Sequence, residues 1–496
     1  MQVEVRFLPI LDVVSAAVAV HVDWQSRSTE GEGMMPAERP RGPMSRIVGL
    51  YKMMMRRQLE HFFPDGQLEM LGEQSGSMAD PTLKGRYFRI LDDPDGLGVV
   101  IELFNTQYLF QPGSPSPFLP IERRLIEAVM IVLDRRYQFI YDTEATIEEI
   151  LEYAIEDQIV AEFLQVPGPV RLTSALEALR AAALSTYENQ RVSTGALLLG
   201  TPEDPAYPGR VNPPGAPRYS VRLASVKSFH RVCDGFRTVY VVDRSGELAW
   251  PVDLERWSRK VQGDQPLLVP CARTFESHAR ATLTGDHVVA VLTPAQQIKV
   301  FAEGAVRFVY ADAHWRLLDT PCKFATWKQA VGKTDPPDLG DRIFQAALNL
   351  LEERKGAMFV ILREPARSLP ALLAPGDRIL SEIATDDPED PENLSPRLAK
   401  RALHHLVRGQ QLADLDGTIL EAIAGIDGAV VTDRQGLIHS FGAILRISSE
   451  VSKVPRAVEG ARTTAALAAS HHGPVLKVSE DGSLAMFLTG RKVWTL

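Results

Sequence analysis

Cysteine is scarce in this chain. There are three in 496 residues, Cys233, Cys271 and Cys322, far apart and without a C-x-x-C pair. So few, so spread and odd in number, they argue against a disulfide framework or a zinc ribbon and fit a reducing compartment. Each reads as a small buried hydrophobe. Positive charge is also short. Lys and Arg total 54 against 63 Asp and Glu, for a net charge of −9 and a pI near 5.8. That removes the global electrostatic case for nucleic acid as a partner. Lys52, Arg56 and Arg57 make a local basic cluster, which reads as a solvated helix face. Long apolar runs are missing too. The segment 7–22 comes nearest, yet it holds Asp12, Ser15 and His21 and falls short of the roughly 20 apolar residues of a membrane span. Only Arg6 precedes it as a basic residue, and no clean small-x-small cleavage site follows. It is read as a buried strand or helix, which leaves no membrane partner and a cytoplasmic location as the expectation. Walker A, G-x-S-x-G, H-E-x-x-H and the dinucleotide fingerprint are all absent.

What is present is the composition of a folded chain, 45% hydrophobic and 24% charged, long enough for two or three domains. Clusters of Gly, Pro and charge punctuate it at 30–43, 111–120, 201–218, 333–338 and 386–396. The third and fourth are the candidate boundaries. Residues 1–200 read as an α+β region, a presumed sensor or regulatory part. Apolar positions recur at helical spacing over 122–133 and 145–163, and an Ala/Leu-rich helix over 172–184 precedes a buried strand at Thr194–Gly200. Residues 219–331 carry short β-branched and aromatic runs (238–242, 287–292, 298–301 and 306–310) bounded mostly by Gly or Asp. That spacing predicts a small β-rich barrel or sandwich. Residues 339–496 predict a mixed-sheet α/β domain, so the fold class is α/β. Phe344, Ala347, Leu348 and Leu351 share one helix face, the charged run 352–355 ends it at Gly356, and 357–362 reads as a fully buried strand. Helices are predicted around 396–407 and 417–424, and strands over 429–432, 475–478 and 484–488. The helix–Gly–strand pattern of 176–200 echoes that of 343–362. Such units are common, so chance accounts for the echo; a diverged duplication is the sharper alternative.

The C-terminal block concentrates the chemistry. Gly425-Ile426-Asp427-Gly428-Ala429 precedes one apolar run, Gly460-Ala461-Arg462-Thr463-Thr464 follows some thirty residues on, and Ser479-Glu480 closes another. Each places a small or charged residue where a buried strand meets solvent, the usual seat of ligand chemistry in α/β folds. A lone carboxylate, an arginine beside hydroxyl residues and a Ser-Glu pair suit a nucleotide. On its own, Asp427 reads equally well as a turn-former, and Ser479-Glu480 as a strand-end cap.

In this order, an R-K-G-A-M-F-V-I strand, a D-G-A turn, a G-x-R turn and a V-S-E strand resemble the diadenylate cyclase domain. That domain is shared by the DNA-integrity scanning protein and the membrane-associated cyclic-di-AMP synthases. The resemblance spans 339–496. It implies condensation of two ATP into cyclic di-AMP across a face-to-face dimer, with Mg²⁺ or Mn²⁺. Asp427 is implied as the catalytic carboxylate and a metal ligand, with Glu480 as second ligand. Gly428, Ala429, Gly460, Arg462, Thr463, Thr464 and Ser479 are implied to line the substrate. The chain departs from the family where Thr463 and Thr464 replace a His and a second Arg, and Ala461 replaces a Thr. Loss of one charge-assisted phosphate contact costs about 1.5–3 kcal/mol, with His471, His472, Lys477 and Arg446 as candidate compensators. Hence the alternative of a weakened, cyclase-like nucleotide-binding module. Residues 298–308 with 312–315 resemble part of the presumed sensor domains of some bacterial members, with an unknown ligand; His314 and Trp315 themselves read as turn and core residues. A scaffolding role for the β-rich middle finds no repeat or heptad to support it.

Overall fold

In the computed structural model the described residues are 43–73, 87–104, 106–113, 117–141, 153–166, 168–212, 214–224, 226, 228–263, 265–379, 404–447 and 460–496. The expectations for 7–22 and 386–396, and most of those for 30–43 and 396–407, lie outside them. The chain divides between Ala145 and Thr146 into two units.

In the first unit helix α1 (Pro43–Phe62) buries Tyr51, Met55 and Leu59, four residues apart and therefore on one face. Strands β1 (Gln67–Glu73), β2 (Phe88–Asp92), β3 (Val99–Leu103) and β4 (Thr106–Gln111) form an antiparallel sheet in the order β1-β4-β3-β2. Helix α2 (Pro120–Tyr141) adds Leu125, Val129 and Leu133 to the core. Lys52 Nζ donates to Thr106 Oγ1 at 3.0 Å, while Arg56 and Arg57 face solvent.

In the second unit, α3 (Ile155–Phe163) and α4 (Pro169–Ala183) lead into a seven-stranded sheet. Its strands are β5 (Thr194–Leu198), β6 (Thr238–Val242), β7 (Leu248–Asp253), β8 (Val288–Leu292), β9 (Ile298–Ala302), β10 (Ala305–Ala311) and β11 (His314–Leu317). Helices α5 (Leu254–Gln262) and α6 (Glu276–Ala281) lie between β7 and β8. The strand order is β11-β10-β9-β8-β5-β6-β7. The predicted barrel or sandwich over 219–331 is therefore corrected to an open mixed sheet with helices. The error traces to β5, which lies before the proline-rich 201–218 yet sits in mid-sheet, buried at all five positions. It pairs parallel with β6, and parallel neighbours need a long crossover; the proline-rich stretch belongs to that crossover. His314 is exposed as the first residue of β11, just after the turn at Asp312-Ala313, and not in the turn itself; Trp315 is buried with its indole donating to Asp157 Oδ1 at 2.9 Å.

Helices α7 (Thr320–Val331) and α8 (Leu339–Glu352) follow. Trp327 Nε1 donates to the Gly340 carbonyl at 2.8 Å, so the two helices pack across the loop at 333–338. The last sheet comprises β12 (Ala357–Leu362), β13 (Ala429–Asp433), β14 (Ile438–Ala443), β15 (Val475–Val478), β16 (Leu484–Leu488) and β17 (Arg491–Thr495), in the order β14-β13-β12-β15-β16-β17. Helices α9 (Pro365–Leu372) and α10 (Gly417–Ala424) lie between β12 and β13, and α11 (Ala461–Ala469) precedes β15. α8 buries Ile343, Phe344 and Ala347 in one apolar cluster that also takes in Val241, Phe275 and Phe301 of the preceding sheet. As predicted, β12 is buried throughout.

Candidate functional site

Three separate chain segments meet at one end of the C-terminal sheet. The first is the loop that α10 hands to β13. Asp416 caps α10, accepting from Thr418 N at 2.8 Å. The helix stops at Gly425, and Asp427 stands just before the strand. The second is the first turn of α11, which carries Arg462. The third is the turn between β15 and β16, where Ser479 N donates to Ser483 O and Glu480 projects into solvent.

Arg462 joins them. Its Nη2 donates to Asp427 Oδ1 at 2.9 Å and its Nη1 to Glu480 Oε1 at 2.8 Å. Hydrogen bonds to Asp427 and then Glu480 raise its pKa above the ordinary arginine value. The carboxylate side chains are 92% and 67% exposed. Exposed ion pairs are worth about 0–1 kcal/mol, so this clasp does little for stability. Its content is geometric: one guanidinium fork fixes two acids from distant parts of the chain.

Gly356, between α8 and β12, makes room for it. A Cβ there would lie 2.1 Å from Arg462 Nη1 and 3.0 Å from Glu480 Oε1. From the sequence Gly356 was only a helix stop; its place between a charged helix end and a buried strand was the available signal.

The remaining candidates divide. Gly428 has φ +125°, and a Cβ there would meet Gly442 C of β14 at 2.3 Å. Its smallness serves strand pairing. Ala429 is buried. Gly460 is exposed, with nothing near its Cβ direction. Thr463 is buried, and its Oγ1 accepts from Lys477 Nζ at 2.6 Å. A cation thus stands beside the position where the resemblance expects one. Thr464 is half-buried, and Ser479 shapes its turn through its backbone. Of the other compensators, His472 Nδ1 hydrogen-bonds Ser368 Oγ at 3.1 Å and the His471 ring packs at Gly490. Neither contact involves the clasp. Arg446 is exposed after β14.

Among the described residues no group of three or more His, Cys, Asp or Glu could hold a metal. Asp427 and Glu480 are a pair, which suits an ion that takes its remaining ligands from phosphate and water, as Mg²⁺ does. Among the described residues no helix is long and apolar enough to cross a membrane.

No family model matches the chain and no curated protein matches it. Among solved structures, a hypothetical membrane spanning protein from Bacillus cereus is 23% identical with TM-score 0.21, over 32% of this chain and 62% of that one. A double cysteine mutant of DacA from Staphylococcus aureus is 18% identical with TM-score 0.19, over 31% of this chain and 84% of that one. The chain spans less than two thirds of the first.

Proposed function

We propose that the C-terminal α/β block condenses two ATP molecules into cyclic di-AMP, with the preceding region regulating it. The observation that carries this reading is the meeting of Asp427, Arg462 and Glu480, three residues drawn from three motifs, on one guanidinium. In each half-reaction a ribose 3′-oxygen attacks the α-phosphorus of the other nucleotide and pyrophosphate departs. Asp427, exposed at a strand entrance, is placed to accept the 3′-hydroxyl proton. Arg462, with Lys477 behind Thr463, offers the positive charge that a triphosphate needs. Asp427 and Glu480 would hold Mg²⁺ or Mn²⁺, whose chemistry is to lower the barrier to alcohol deprotonation. Each block would hold one nucleotide, so two must face each other, and a rigid homodimer supplies the in-line geometry.

A second reading, a nucleotide-binding module without turnover, draws on the buried Thr463, whose hydroxyl faces Lys477 instead of open solvent. Incubation of the full chain with ATP and Mn²⁺, followed by mass spectrometry of the product, tests both. We expect cyclic di-AMP that is lost in Asp427→Asn. Tight ATP binding with no product establishes the module instead, and neither binding nor product rejects both.

A further inference from the structure

The seven-stranded and six-stranded sheets follow one plan. Read from β7, the first runs β7-β6-β5-β8-β9-β10; read from β14, the second runs β14-β13-β12-β15-β16-β17. In each, the third strand pairs parallel with the second and antiparallel with the fourth.

The turns agree atom by atom. Asp243 Oδ1 accepts from Ser245 N and Glu247 N at 2.9 and 3.0 Å; Asp433 Oδ1 accepts from Gln435 N and Leu437 N at 2.9 and 3.1 Å. Gly246 and Gly436 take φ +83° and +78°. An isolated bridge joins Arg218 to Glu247 in one, Gln411 to Leu437 in the other. Thr293 N donates to Gln297 O and Ser479 N to Ser483 O, both at 2.8 Å. Two-residue hairpins at Glu303-Gly304 and Thr489-Gly490 have φ of +51° and +74°, and +49° and +75°. Thr282 Oγ1 accepts from Gly304 N at 3.1 Å and donates to Ala279 O; Ser470 Oγ accepts from Gly490 N at 2.8 Å and donates to Leu467 O. Chance does not repeat side-chain turns, helix caps and register together.

This correspondence locates the counterpart of the clasp. Arg237 and Asp427 each stand six residues before the turn aspartate, Thr274 and Arg462 eight before the capping hydroxyl, and Pro294 and Glu480 directly after the turn hydroxyl. The first copy has Arg, Thr and Pro where the second has Asp, Arg and Glu. None of these three matched positions carries an acid.

The three matched positions are exposed, and the segment just before Thr274 is tied to α8 and α10. Arg273 N donates to Asn349 Oδ1 at 2.7 Å, and Arg273 Nη2 to Glu421 Oε1 at 3.0 Å. Asn349 Nδ2 donates to the same Glu421 oxygen at 2.5 Å, and Gln345 Nε2 donates to the Cys271 carbonyl. Asn349 and Glu421 are buried. Glu421 sits on α10, the helix that ends at Gly425, two residues before Asp427.

We infer that residues 169–311 are a degenerate duplicate of the C-terminal fold, and that the segment 271–273 beside its former ligand edge now docks α8 and α10, with Arg273 as the positioning residue that sets Asp427 through Glu421. The inference rests on the reading of Asp427 as the reacting carboxylate. The test is hydrogen exchange by mass spectrometry on the full chain without nucleotide, alongside steady-state assays with ATP and Mn²⁺. In Arg273→Ala, and more mildly in the near-isosteric Glu421→Gln, exchange over 417–433 rises several-fold while 475–488 stays unchanged. The kcat falls about tenfold at near-constant KM, and the charge swap Arg273→Glu with Glu421→Arg restores both. Unchanged exchange over 417–433 in both single variants overturns the inference. So does a charge swap that restores neither readout. A wild-type chain that makes no cyclic dinucleotide sinks the proposed function, and the exchange result then judges the dock alone.

Discussion

At the residue scale the clasp separates activity from stability. Replacing Arg462 by Ala removes two exposed ion pairs, each worth about 0–1 kcal/mol, so melting should barely move. On the proposed function, the same change removes a charged phosphate donor, worth about 1.5–3 kcal/mol. ATP binding, measured by calorimetry, should weaken by roughly tenfold to a hundredfold. Gly356→Ala tests the same geometry from the other side. The added methyl would stand 2.1 Å from Arg462 Nη1 and 3.0 Å from Glu480 Oε1, so the guanidinium and its bond to Glu480 must shift. We expect turnover to drop about tenfold or more in a chain that still melts near the wild-type temperature. Asp427, Arg462 and Glu480 were legible because each ends or begins an apolar run, where a charge has no packing role. Gly356 was not, since its purpose is the space it leaves, and space depends on a side chain more than a hundred residues away.

At the element scale, strands buried on both faces announced themselves: β12, β13, β15 and β16 all fall where apolar runs predicted them. β14 reads I-H-S-F-G-A and β17 R-K-V-W-T. Both are edge strands of their sheet. In β17 the polar residues face water without cost; in β14 Ser440 is buried and donates to the Asp377 carbonyl and His439 pairs with Asp433, so partnered polar side chains interrupt the apolar run. The barrel expected over 219–331 failed for a related reason, because its middle strand lies far back in the chain, beyond a crossover. Gly428 belongs to this scale. Its Cβ position is filled by Gly442 C and Ala443 N at 2.3 and 2.6 Å, so Gly428→Ala must part β13 from β14 and adopt a φ that L-residues avoid. Strain of that kind costs on the order of 1–3 kcal/mol. Differential scanning calorimetry should find a melting point several degrees lower; an unchanged one would mean that the strands yield freely.

At the scale of the whole molecule, acid should weaken the fold from within the seven-stranded sheet region. Burial lowers the pKa of His278 to about 4 and that of His287 to about 4. His278 Nε2 donates to Gly235 O at 2.6 Å, and His287 Nδ1 accepts from Gly200 N at 3.0 Å, an arrangement that needs a neutral ring. With folded-state values below the ordinary 6.5, the unfolded chain binds more protons between the two. Stability is therefore full above about pH 6.5 and declines as pH falls towards 4. Melting temperatures taken across that window should slope downward, and His278→Gln, which keeps a donor, should flatten the slope. Self-association leaves its own signature: if two blocks must face each other, specific activity falls on dilution, whereas constant activity at every concentration would refute the dimer.

The twin sheets carry a consequence for how substitutions are tolerated along this chain. One architecture, used twice, should yield two unlike maps in a saturation mutagenesis screen. In the later half, the sensitive surface positions gather around the solvent-facing acids and their arginine. In the earlier half the matching sites, Arg237, Thr274 and Pro294, are free to drift, and intolerance shifts to Arg273 and its neighbours, which answer to the sibling domain in place of a small molecule.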